Sequence, residues 1–127
     1  KSLRPSIRVI GCEPKNADDT YRSKISGHIE PMEHPDTIAD GLRASLCELT
    51  FAAIHSQVDE VALVSEEEIV EAMRRVWERM KIIIEPSAAV AAAVAVFRKV
   101  DWQGMKVGVI LSGGNVDLEK LPFQRSQ

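Results

Sequence analysis

The sequence predicts an α/β fold with a largely parallel sheet. Three observations lead there. Its 127 residues are 45% hydrophobic and 28% charged, ordinary globular composition of a length for one folding unit. Short apolar runs of strand length alternate with stretches of helical spacing, in the order strand, helix, loop, helix, strand, helix, helix, strand. Helix-start residues stand at several of the joins, most clearly at Ser65.

Residues 6–12 (SIRVIGC) alternate apolar and polar and then become apolar, which reads as a strand closed by a Glu13-Pro14 loop. Residues 17–26 follow as a short helix, with Asn16 as N-cap, Asp18 and Asp19 in the first turn where the helix dipole favours anions, and Gly27 as the stop. Residues 28–41, with Pro31, Pro35, Asp36 and Asp40, read as loop. Helical spacing resumes over 44–58 through Leu46, Leu49, Phe51, Ala53 and Ile54.

Residues 60–64 (EVALV) are a second strand. Ser65 and Glu68 form a capping box that opens a helix whose Ile69, Val70, Met73, Val76, Trp77 and Met80 share one face. After Glu85-Pro86, Ser87 is expected to cap a helix over 88–99 that is nearly all Ala and Val, hence buried. Residues 105–111 (MKVGVIL) are expected to form a last strand, ending in Ser112-Gly113-Gly114-Asn115.

The net charge of −3 offers no electrostatic footprint for nucleic acid. Cys12 and Cys47 form no CxxC pair or zinc spacing and read as two buried thiols of a cytoplasmic protein. The longest uncharged stretch is broken by Glu85 and Pro86, so no membrane span is expected, and no signal peptide is apparent. The chain opens on Lys1 and enters a strand within a few residues, as though a segment preceded it.

Ligands of open α/β sheets bind beyond the carboxyl ends of strands, so chemistry is expected in those loops. Residues 13–19 (EPKNADD), with the carboxylates of Glu13, Asp18 and Asp19 and free carbonyls, make an oxygen-rich loop that suits a hard cation such as Mg²⁺ or Ca²⁺, although acids placed only to complement a helix N-terminus fit the spacing too. In 112–115 the glycines permit close approach of backbone to a ligand and the Ser112 hydroxyl can bond a ring nitrogen or phosphate; a plain strand-to-helix turn is the other reading. Neither a Walker A loop nor a G-x-G-x-x-G fingerprint is present. His28, His34 and His55 pair with no nucleophile in a recognisable triad. Glu85, between three isoleucines and an Ala-rich helix, is expected to be partly buried with a partner, as a site residue or a helix cap.

Four strings, GCEPKNADDTYRS, TIADGL, VWERMKIIIEPSAA and VILSGGNVDL, resemble in this order the carboxyl-terminal part of the serine racemases and related serine/threonine dehydratases, pyridoxal 5'-phosphate enzymes of fold type II. The resemblance implies a three-layer αβα architecture and a cofactor site holding Ser112, against the ring nitrogen, Gly41, beside the ring, and Glu85, near its hydroxyl side. A neutral hydroxyl at the ring nitrogen implies racemisation and β-elimination rather than transamination. Glu13, Asp19 and the Ala17 carbonyl match the family's Mg²⁺ or Ca²⁺ site. Lys81 and Asn115 match positions that contact ATP, as effector, at the dimer interface of the animal racemases. Serine or threonine as substrate and a homodimer in the complete enzyme are implied with them.

The family's cofactor lysine in S-F-K-x-R-G, its re-face serine in an S-S-G-N-H-type loop and its glycine-rich phosphate loop are absent from the sequence. The resemblance would put all of them upstream of Lys1. Residues 1–127 are therefore expected to be the carboxyl-terminal portion of the large cofactor-binding domain, without a catalytic residue of their own and inactive alone. A reading from another class is a non-catalytic piece that binds metal or docks with a partner.

Overall fold

The computed structural model describes residues 1–123. Strand β1 (Ile10–Pro14) and strand β2 (Glu60–Val64) pair in parallel, with Ile10 opposite Glu60 and Pro14 opposite Val64. Helices α1 (Asp19–Ser26) and α2 (Glu48–Gln57) lie between them in sequence, and α3 (Glu66–Arg75) and α4 (Pro86–Val96) follow. A 3-10 turn occupies Asp40–Leu42, and α3 runs on into a π-helical turn, Val76–Met80.

Alternation along the strands produces three layers. Cys12, Ala62 and Val64 point into the main core with α3 and α4, whereas Glu13, of opposite parity, meets the backbone of α1 on the other face. The core is built from Ile69, Ala72, Met73 and Val76 of the α3 stretch, Ala88, Ala89, Val90, Ala92, Ala93 and Val94 of α4, and Ile84 between them. The expectation of a buried small-residue helix is met: α4 packs on α3 and both strands. Each larger aliphatic side chain buried there contributes about 1.5–3 kcal/mol.

The Ser65 capping box forms as expected, Ser65 Oγ accepting from Glu68 N (3.3 Å) and Glu68 Oε2 from Ser65 N (2.8 Å). Glu68 also holds Lys99 at 2.5 Å, fastening the start of α3 to the chain beyond α4. Gly27 closes α1 in the left-handed region at φ 79°, as its position predicted.

Several boundaries differ from the sequence expectation. The first strand runs over Ile10–Pro14 rather than 6–12, because its ladder begins only where Ile10 meets Glu60, and Pro14 at the ladder's end gives up no needed donor. Helix α1 starts at Asp19 with Asp18 as N-cap, while Asn16 donates its side-chain amide to Asp36 O at 2.9 Å. Helix α2 begins at Glu48, not 44, because Thr50 Oγ1 takes the Cys47 N–H (3.1 Å) and fixes Cys47 as N-cap. No residue of α2 is buried. Cys47 is therefore exposed and its thiol held below the usual range by hydrogen bonding to Thr50; only Cys12 is partly buried, its thiol pushed up to about 11 by burial. Met80 is 56% exposed, since the wider π turn rotates it off the buried stripe. Helix α4 stops at Val96, ahead of Arg98 at φ 49°.

The expected last strand is not a strand among the described residues. Residues 105–111 sit in no ladder, and Met105, Val107, Val109 and Ile110 are exposed. Apolar content shows what surroundings a segment suits; it does not supply the neighbouring strand that a ladder needs. No helix among the described residues is long and apolar enough to cross a membrane.

Candidate functional site

The acid loop folds so that Glu13, at the end of β1, serves the helix that follows. Its two carboxylate oxygens accept from Thr20 N (3.2 Å) and Tyr21 N (2.9 Å), satisfying donors that the first turn of α1 leaves unpaired. Asp19 lies beside it, 2% exposed, with Oδ2 accepting from Leu46 N at 3.3 Å. Burial pushes the Glu13 carboxyl up to about 7; the Thr20 hydroxyl and the Thr20 and Tyr21 N–H groups oppose the rise, and the Asp19 charge adds to it. Ala17 is 1% exposed and its N–H is taken by Pro14 O at 3.1 Å.

The structure thus brings Glu13, Ala17 and Asp19 together. Among the described residues no group of three or more His, Cys, Asp or Glu gathers as a cation site, here or elsewhere, and the nearby Arg22 pairs with Asp18 and Glu30. The two buried carboxylates lie close enough for the Asp19 charge to act on Glu13, and both present oxygen donors. They suit a hard cation that keeps part of its water, although three backbone N–H groups, of Thr20, Tyr21 and Leu46, already bond these carboxylates. Asp18 does not join them, its Oδ1 pairing with Arg22 Nε at 2.8 Å.

A second cluster gathers at the N-terminus of α4. Pro86 holds the first helical position and Glu85 the N-cap, so Ser87 stands two residues too far along to cap, contrary to expectation. Ser87 Oγ instead accepts the Gly41 N–H at 3.1 Å, and a Cβ on Gly41 would come within 3.0 Å of that oxygen. Glu85 N donates to Gly113 O (3.0 Å), and Glu85 Oε2 accepts from Asn115 N (2.9 Å). The partner expected for Glu85 is thus the backbone of the 112–115 loop. A Cβ on Gly113 would lie 2.5 Å from Glu85 Oε1, and one on Gly114 would lie 2.7 Å from Ile83 O. The glycines serve close approach, as read from sequence, but the surface they approach is protein.

Gly41, Glu85 and Asn115 are therefore joined through α4, with Ser112 exposed at the head of the same loop. Lys81 lies apart, in the left-handed region at φ 60° after the π turn, its Nζ donating to Glu78 O at 2.8 Å. Sequence reading missed Ser87 as the support of Gly41. The signal was available: a proline at the first helical position moves the cap to the residue before it.

The sequence model of a family described as pyridoxal-phosphate dependent enzymes matches residues 1–113. Over all of this chain, the serine racemase of Bos taurus is 46% identical, and the chain spans 39% of that protein. A beta-hydroxyaspartate dehydratase of Paracoccus denitrificans is 44% identical over 96% of the chain, again 39% of its own length. The solved structure of maize serine racemase superposes with a TM-score of 0.89 at 44% identity, over 94% of this chain and 38% of that one.

Proposed function

Because the chain belongs to the family of pyridoxal-phosphate dependent enzymes, we propose that it forms part of the cofactor-binding domain of an amino-acid racemase and dehydratase acting on serine or threonine. One observation carries this reading: Gly41, Glu85 and the 112–115 loop converge on the N-terminus of α4, leaving Ser112 exposed at a shared rim. Similarity to a serine racemase and to a beta-hydroxyaspartate dehydratase supports racemisation and dehydration as reaction types, which on serine would interconvert the L and D forms and yield pyruvate and ammonia.

Bound pyridoxal phosphate supplies an electron-withdrawing ring that stabilises negative charge at a substrate α-carbon. In this reading Ser112 meets the ring nitrogen with a neutral hydroxyl, which cannot keep that nitrogen protonated as a carboxylate would. Gly41, lacking a Cβ, lets the ring lie close to backbone, and Glu85 stands on the ring's hydroxyl side. Glu13, Asp19 and the Ala17 carbonyl hold Mg²⁺ or Ca²⁺ as a structural ion, a role supported by the burial of both carboxylates, with the nearby Arg22 paired to Asp18 and Glu30 rather than to either of them. Lys81 and Asn115 contact ATP, as effector, at a homodimer interface, and the protein works in the cytoplasm. Residues 1–127 are the carboxyl-terminal part of the domain. Lacking an S-F-K-x-R-G segment, they give no turnover alone.

The test is to incubate the intact protein with pyridoxal phosphate, Mg²⁺ and L-serine, and to follow D-serine by chiral chromatography and pyruvate by a coupled assay. The reading expects both products. No D-serine or pyruvate from serine, together with no 2-oxobutyrate from threonine, would contradict it.

A further inference from the structure

Residues 105–111 before the 112–115 loop are in no ladder among the described residues, and the loop is anchored at its two ends by Leu111 and Val116, which pack against the core. Between those ends its position is set by contacts with two residues ahead of α4. The Gly113 carbonyl receives Glu85 N–H at 3.0 Å and the Asn115 N–H reaches Glu85 Oε2 at 2.9 Å, so one residue grips the loop on both sides of Gly114. The grip is also steric. At Gly113 an added Cβ would meet the Glu85 carboxyl group at 2.5 to 2.9 Å, and at Gly114 the Ile83 carbonyl at 2.7 Å. Real Cβ atoms do not come so near, so the glycines are required by the fit of loop to carboxylate and carbonyl.

We infer that Glu85 is a positioning residue for Ser112. Its backbone N–H and carboxylate together fix the height and register of the 112–115 loop, and Gly113 is glycine because Glu85 occupies the space of a side chain. The inference rests on the proposed role of Ser112 for its functional consequence, but the clamp itself does not. An N–H bonded to an ionised carboxylate is among the stronger neutral-to-charged hydrogen bonds, so its loss frees the loop measurably. Glutamine at position 85 keeps the length and an acceptor oxygen, and should largely preserve the grip.

The experiment is hydrogen exchange by mass spectrometry on the intact protein, read in peptides covering 111–116, with the absorption of added pyridoxal phosphate read in parallel. Expected for Glu85→Ala is exchange in this segment faster by about tenfold or more, with other segments unchanged, and a shifted or weakened cofactor band. Glu85→Gln should restore most of the protection. Gly113→Ala alone should disturb the segment as Glu85→Ala does, yet add little in the Glu85→Ala background, because the truncated side chain vacates the space. Should Glu85→Ala leave exchange over 111–116 unchanged, or Gly113→Ala be equally disruptive in both backgrounds, the clamp is overturned. If instead the clamp behaves as expected but Ser112→Ala leaves the cofactor band untouched, the clamp stands and the role of Ser112 fails.

Discussion

The two candidate sites are made in opposite ways. The acid loop is a site of side chains: Glu13 and Asp19 are buried, and each is already tied to backbone N–H groups of the elements around it. The cluster at the N-terminus of α4 is a site of backbone: Gly41, Gly113 and Gly114 bring main chain against Ser87, Glu85 and Ile83, and Ser112 stands in the open. The first keeps charge away from water, at a desolvation cost that the proposed cation would offset. The second depends on geometric fit, where a single methyl group is enough to do harm. The first should therefore respond to ions and the second to small changes in shape.

The largest effect expected concerns the acid loop. With Mg²⁺ at about a hundredfold excess over its dissociation constant, cation binding adds about 2.7 kcal/mol of stability. Asp19→Ala should abolish the Mg²⁺-dependent rise in melting temperature measured by scanning fluorimetry; an unchanged rise would remove Asp19 from the cation site. Next comes Gly114→Ala, where the obstruction is the Ile83 carbonyl, a backbone atom that cannot swing aside. It should cost about 1–3 kcal/mol in denaturant unfolding. A neutral result would mean that the loop moves freely.

Ser87→Ala removes one of the two acceptors of the Gly41 N–H and leaves the other, Asp40 Oδ1 at 2.9 Å. A loss of about 0.5–1.5 kcal/mol is expected, with faster amide exchange over 40–42; the same exchange as wild type would show that α4 does not hold that turn. The smallest effect should come from Leu49→Ser. Leu49 is 81% exposed on a helix with no buried residue, so stability should change by about 0.5 kcal/mol or less. A markedly larger loss in the intact protein would reveal that something covers α2.

What could be read from the sequence follows the same division. Ser65 with Glu68, Gly27 after α1 and the small-residue α4 were legible because each depends on neighbours within one turn or on the composition of a single element. The residues of the acid loop were visible as a run, yet the role of Glu13 as acceptor for α1 was not, because it depends on how the strand end meets the helix. The α4 cluster needed long-range pairing: Ser87 with Gly41 across 46 residues and Glu85 with Asn115 across 30. Residues 105–111 failed as a strand for a related reason, since apolar alternation cannot report whether a free edge lies alongside.

The central claim is that these clusters are separate sites for separate ligands, a pyridine cofactor at α4 and a divalent cation at the acid loop. The most direct measurement is hydrogen exchange on the intact protein with each ligand added alone. Pyridoxal phosphate should slow exchange over 40–42 and 112–115 and leave 13–21 as it was, and Mg²⁺ should do the reverse. Protection of 112–115 by neither ligand, or of both segments by Mg²⁺ alone, would contradict the account.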